Sequence, residues 1–187
     1  MRYLFAILLL VSLPAAATPK DEVHAAYTRF LAMKTFKAGI DSSLGKHKSS
    51  STVEYVAPDR YRVTNTGQPA NLIIGNSMYI TMDGHQMKIP MPGLKDMIGQ
   101  YRNPDFLKDL EAGVVVESMG NENLNGQITK KYRYTMTKPH ASSNMMWVAA
   151  NGDVLQVDTS GMMNKQPFHT IIRYSLYNSP TIKIAAP

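Results

Sequence analysis

The chain has 187 residues, 20 of them basic and 14 acidic, a formal net charge of +6, and no cysteine. This length suits one domain with a sizeable core rather than two, and the absence of cysteine excludes disulfides, a thiol nucleophile and a bacterial lipid anchor. The basic residues are scattered, which is compatible with brief contact with anionic headgroups but forms no nucleic-acid-binding pattern.

Residues 1–17 carry Arg2, an apolar run ending at Leu13, a Pro14 break and then Ala15-Ala16-Ala17. The run is too short to span a bilayer and the small residues suit signal peptidase, so a signal peptide cut near Ala17 is expected. The mature domain is then 18–187, a soluble periplasmic protein with no lipid anchor.

Between Lys20 and Lys37 the spacing of Val23, Ala26, Tyr27, Phe30, Leu31 and Met33 predicts an amphipathic helix, with Asp21 and Glu22 at its positive end. Residues 38–43 read as a first strand and the polar 46–51 as a turn. Residues 52–56 and 60–64 read as strands joined through Ala57-Pro58-Asp59. In 71–91, Gly75-Asn76 and Asp83-Gly84 divide three short apolar runs into a meander. A two-residue loop at Asp83-Gly84 pairs Met78 with Ile89, Ile80 with Met87 and Met82 with His85 on one greasy face. Tyr79/Lys88 and Thr81/Gln86 then share the other. Ile73 joins the Met78 face, whereas Leu72 and Ile74 fall on the opposite one, so part of the outer side should be covered as well.

Residues 94–110 change period. Leu94, Met97, Ile98 and Tyr101 form one stripe, and Phe106, Leu107 and Leu110 form a second after Asn103-Pro104, predicting two short helices. Strands resume at 114–119, 128–136, 144–150, 153–160 and 168–177, with turns at Asn125-Gly126 and Asn151-Gly152. The latter turn places Val148 opposite Leu155 and Met146 opposite Val157, and turns Trp147 the other way, opposite Gln156. A short tail follows. The fold class is therefore α+β, mainly β: an unclosed antiparallel barrel of about ten or eleven strands with an N-terminal helix and a helical lid.

No catalytic motif is complete. There is no G-x-S-x-G, H-E-x-x-H or phosphate-cradling glycine loop, and Ser43-Leu44-Gly45-Lys46 matches S-x-x-K without its S-D-N and K-T-G partners. The five histidines stand singly. Thirteen methionines, with Met145-Met146 and Met162-Met163 near His169, raise Cu(I) handling as one reading. Successive strand residues point to opposite faces, so adaptable filling of a greasy interior explains them better. The reading is a non-enzyme with no cofactor and no metal site. The apolar inner face alone is equally compatible with a solid core and with a ligand cavity.

The ordered set of the leading helix, Val53-Glu54-Tyr55-Val56-Ala57-Pro58-Asp59-Arg60-Tyr61-Arg62-Val63, Leu72-Ile73-Ile74-Gly75-Asn76-Ser77-Met78-Tyr79, Trp147 through Gly152, and Tyr177-Asn178-Ser179-Pro180-Thr181-Ile182 resembles the LolA-like group. That group comprises lipoprotein carriers of the LolA and LolB type, LppX- and LprG-type lipid-binding lipoproteins and RseB-type sensor domains. The resemblance implies a monomeric periplasmic carrier that holds lipid or lipoprotein acyl chains in a half-barrel cavity, with transient membrane-surface contact. Tyr55, Tyr61, Met78, Ile80, Met82, Met87, Ile89, Tyr134, Met146 and Val148 are expected to line the cavity, and Leu94, Met97, Ile98, Tyr101 and Phe106 to form the lid. The alternative it implies is a sensor domain that recognises a protein partner, including a membrane-anchored one. Lipoprotein carriers have an arginine where this chain has Ala57, a departure that weakens the lipoprotein-shuttle role more than lipid binding in general.

Overall fold

The computed structural model describes residues 17–82, 84–94, 102, 104–137 and 140–186. The first helix, α1 (Pro19–Ala32), starts at a capping box: the Thr18 hydroxyl accepts from the Asp21 amide while the Asp21 carboxylate accepts from the Thr18 amide, and Pro19 takes the first turn. Its buried stripe is Val23, Ala26 and Phe30. Eleven strands follow: β1 (Thr35–Leu44), β2 (His47–Val56), β3 (Arg60–Asn65), β4 (Asn71–Ile74), β5 (Ser77–Met82), β6 (His85–Pro90), β7 (Val116–Leu124), β8 (Gln127–Met136), β9 (Ser142–Ala149), β10 (Val154–Met163) and β11 (Gln166–Ser175). A short helix, α2 (Asp105–Glu111), lies between β6 and β7.

All strands belong to one antiparallel sheet ordered β6-β5-β4-β3-β2-β1-β11-β10-β9-β8-β7. It does not close: β6 and β7 are its two edges. The sheet curls around α1, which reaches several strands at once. Glu22 accepts from Lys130 and from the Tyr132 hydroxyl on β8, Arg29 Nε lies 2.6 Å from the Asp153 carboxylate before β10, and Phe30 meets Phe36 on β1 and Tyr174 on β11 at 5.4 and 5.0 Å between ring centres. Lys130 and Tyr132 hold the Glu22 carboxyl below its ordinary range by hydrogen bonding to the charged form.

The meander register is as the turn chemistry predicts: Met78 pairs with Ile89, Ile80 with Met87, Met82 with His85, and Ile73 with Met78. At Asn125-Gly126 both residues have positive φ, 52° and 88°, as a tight hairpin requires.

Three local expectations are corrected. Residues 46–51 are not a turn, because the ten-pair hairpin β1/β2 extends down to Leu44 opposite His47, leaving Gly45 (φ 58°) and Lys46 to reverse the chain. The first strand starts at Thr35 rather than Ala38, which brings Phe36 into the sheet. After Asn151-Gly152 a bulge between Val154 and Gln156 sets Val154, not Leu155, opposite Val148. The Asn151 side chain accepts from the Asp153 amide and lengthens the loop by one residue. Beyond the bulge Met146 faces Val157 and Trp147 faces Gln156, as expected.

The covered part of the outer side comes from the chain's last described residues. Arg60 and Arg62, whose strand neighbours on that face are Ile74 and Leu72, donate to the carbonyls of Ile184 and Lys183 at 2.8 and 3.0 Å, and Ile182 and Ile184 are buried. Trp147, also on the outer side, is buried with the Lys131 ammonium 4.7 Å from its ring centre.

Candidate functional site

Alternation along the central strands turns Phe36, Ala38 and Ile40 of β1, Val53 and Tyr55 of β2, Tyr61 and Val63 of β3, and Ile172 and Tyr174 of β11 to the inner face. Aromatic rings run across it in contact: Tyr61 to Tyr55 at 5.1 Å, Tyr55 to Phe36 at 5.0 Å, Phe36 to Phe30, Phe30 to Tyr27 at 5.7 Å, Tyr27 to Phe106 at 4.7 Å, and Phe106 to Tyr134 at 5.2 Å. Burial pushes Tyr27 and Tyr61 up to about 12, so both hydroxyls stay neutral across the physiological range.

Below the C-terminal end of α1 this face holds a partly open cavity of about 170 Å³ lined by Phe30, Phe36, Ala38, Ile40, Ser51, Val53, Tyr61, Val63, Arg102, Ile172 and Tyr174. Its wall is overwhelmingly apolar. The larger hollows elsewhere, such as one of about 490 Å³ beside Arg173 and Leu176, mix polar and apolar walls.

Arg102 is the exception in the cavity wall. Its Nη2 donates to the carbonyls of Phe30, Leu31 and Met33 at 3.2, 2.6 and 3.4 Å at the end of α1, where the Phe30 carbonyl also accepts from the Met33 amide. The guanidinium carbon stands 4.2 Å from the Tyr55 ring centre and 5.6 and 5.8 Å from those of Phe30 and Phe36. Arg102 therefore ties the segment between β6 and β7 to the helix and the sheet.

The expected lining residues separate into three groups. Tyr61 lines the cavity, with Tyr55 stacked between it and Phe36. Tyr134, Met146 and Val148 are buried in the core packed under α1, because Val23, Ala26 and Phe30 fill that part of the face. Met78 and Ile80 are half-buried, while Met82, Met87 and Ile89 are exposed on the β5–β6 hairpin and do not line the cavity. Of the expected lid, Leu94 is buried and Phe106 packs against the core; Met97, Ile98 and Tyr101 lie outside the described residues, as do residues 1–16 of the expected signal peptide.

Sequence reasoning missed Phe36, Ile172, Tyr174 and Arg102. Alternation along 35–40 was the available signal for Phe36. Nothing in the sequence distinguishes Arg102 from a solvated arginine. Among the described residues no helix is long and apolar enough to cross a membrane, and no three His, Asp or Glu side chains group as metal ligands.

No protein-family model and no curated protein matches the chain. Solved structures do. The lipoprotein LppX of Mycobacterium tuberculosis superposes with a TM-score of 0.63 at 14% identity, over 88% of this chain and 97% of LppX. LprF of Mycobacterium bovis gives 0.63 at 11% identity, over 90% and 96%. MucB gives 0.50 at 14% identity over 93% of this chain, which spans 62% of MucB. At these identities the shared property is the fold, and it is the LolA-like fold that the ordered segments resemble.

Proposed function

We propose that this LolA-like chain is a carrier that takes the hydrocarbon chain of a lipid or lipoprotein out of water and holds it against the inner face of its open sheet. The observation that supports this most directly is the apolar cavity under α1. Native interiors leave few voids larger than a water molecule, and an apolar void of about 150 Å³ is enough to stay dry and take up a benzene-sized guest. At about 170 Å³ the pocket accepts a short stretch of chain. The exposed Met82, Met87 and Ile89 on the same face of the sheet offer further apolar surface for the rest. Each methylene moved from water to such a surface contributes about 0.8 kcal/mol. Export by a signal peptide removed near Ala17 would place the carrier in the cell envelope, where such cargo is found.

Mass spectrometry of organic extracts from protein purified out of its native envelope fraction tests the reading. Co-purifying lipid, together with uptake of the neutral apolar reporter N-phenyl-1-naphthylamine by the delipidated protein, is the expected result. Recovery without lipid and with no uptake of the reporter overturns it.

A further inference from the structure

We propose that the cavity is built for an acyl chain ending in an anionic oxygen head, a carboxylate or a phosphate, and that Arg102 binds this head. The inference rests on the carrier reading and adds the chemistry of the guest's polar end.

Of the eleven described residues that line the cavity, Arg102 is the one that carries a charge. Its Nη2 is occupied by the three carbonyls at the end of α1, and its face lies on Tyr55. These contacts hold the side chain in place but supply only partial charges. No carboxylate among the described residues comes within ion-pair distance of it, while Nε is buried with no hydrogen-bond acceptor. Arg102 is half-buried, and the part of the cation withdrawn from water meets no counter-ion among the described residues and an incomplete set of acceptors. An anionic head entering the pocket would supply the missing charge and, with a turn of the guanidinium, an acceptor for the Nε–H. Guanidinium groups favour carboxylate and phosphate because the planar fork presents several donors at once. The neutral hydroxyls of Tyr61 and Tyr174 and that of Ser51 are further donors on the same wall. The end of α1 and the rings of Tyr55, Phe30 and Phe36 favour a cation at this position but leave Nε without an acceptor.

The test uses the delipidated full chain loaded with N-phenyl-1-naphthylamine, displaced by four amphiphiles of one chain length below their micellar concentrations: decanoate, decyl phosphate, decanol and decyltrimethylammonium. A hydrogen bond to a charged partner corresponds to roughly tenfold to a hundredfold in affinity. Decanoate or decyl phosphate should therefore displace the reporter at least about tenfold more effectively than decanol, with the cation weakest. Whichever anion is the stronger assigns the head as carboxylate or phosphate. Equal displacement by decanol and both anions overturns the head-group assignment and leaves the carrier reading standing, whereas failure of the protein to take up the reporter removes both. Arg102→Met should bring displacement by the two anions down to the level of decanol, and Arg102→Lys should restore part of the preference. A preference that survives in Arg102→Met overturns the proposal. The comparison of ligands on the unmodified protein decides the matter even if that variant does not fold.

Discussion

Under α1 the inner-face residues Phe36, Tyr55, Tyr132 and Met146 are 4, 2, 1 and 1% exposed, whereas on β5 and β6 the residues of that same face, Met82, Met87 and Ile89, are 55, 49 and 36% exposed. The pattern of side chains along the strands is the same in both regions. What differs is the cover. A helix of 14 residues is about 21 Å long, while eleven strands spaced about 4.8 Å apart span about 48 Å. One such helix roofs the centre of the sheet and leaves the β5–β6 wing to whatever else can lie on it. Apolar alternation thus specifies a face that rejects water, and only the length and position of the covering element decides whether it becomes core or contact surface.

The contrast breaks most readily at Phe30, which touches Tyr27, Phe36, Tyr174 and Tyr177. Phe30→Ala should cost about 3–5 kcal/mol in urea denaturation, and a loss below about 1 kcal/mol would mean that the centre is no more a core than the wing. Gly161→Ala comes next, at about 1–3 kcal/mol, because a Cβ there would meet the Ala141 carbonyl oxygen at 2.3 Å and the Phe168 ring at 2.8 Å. Glu22→Gln should cost less, about 1 kcal/mol at neutral pH, since the carboxylate is partly solvated. Its sign is fixed by the lowered pKa of the carboxyl: the stabilisation is complete above about 4.5 and disappears as the pH falls through the folded-state value. Denaturation curves of Glu22→Gln and the unmodified protein should therefore converge in acid. The smallest effect belongs to the wing, where Met87→Ser should stay within about 0.5 kcal/mol, and a larger loss would show that something covers β6.

Much of this architecture was legible from the chain. Turn chemistry at Gly75-Asn76 and Asp83-Gly84 fixed every pair of the meander, and the three-and-four spacing of Val23, Ala26 and Phe30 fixed the buried side of α1. The order of the elements was read from the alternation and turn residues along the chain, and the resemblance to the LolA-like group agreed with it. The cavity wall was less legible. Phe36 was hidden because the helical stripe running through Met33 made the start of β1 look like the end of the helix. Ile182 and Ile184 gave no hint that they would be buried, since their burial depends on Arg60 and Arg62 catching carbonyls more than a hundred residues away. Arg102 was unreadable for the same reason: its setting is made by carbonyls and rings from α1, β1 and β2, which local pattern does not bring together.

The strand order has a consequence for assembly. β1 through β6 and β7 through β11 are each laid down by neighbouring hairpins, and the two blocks meet along a single seam, the eight residue pairs of β1 with β11. Every other pairing closes a short loop, whereas the seam closes across most of the chain and so bears the largest single closure entropy and is the slowest contact to form. Breaking the backbone between β6 and β7 would yield two fragments, each with a ready-made half-sheet ending in one half of that seam. Their reassociation in a test tube would rest on eight backbone pairings, on the rings of Phe30, Phe36 and Tyr174 above them, and on the contacts of α1 with β8 and Asp153 and of Arg60 and Arg62 with the C-terminal residues.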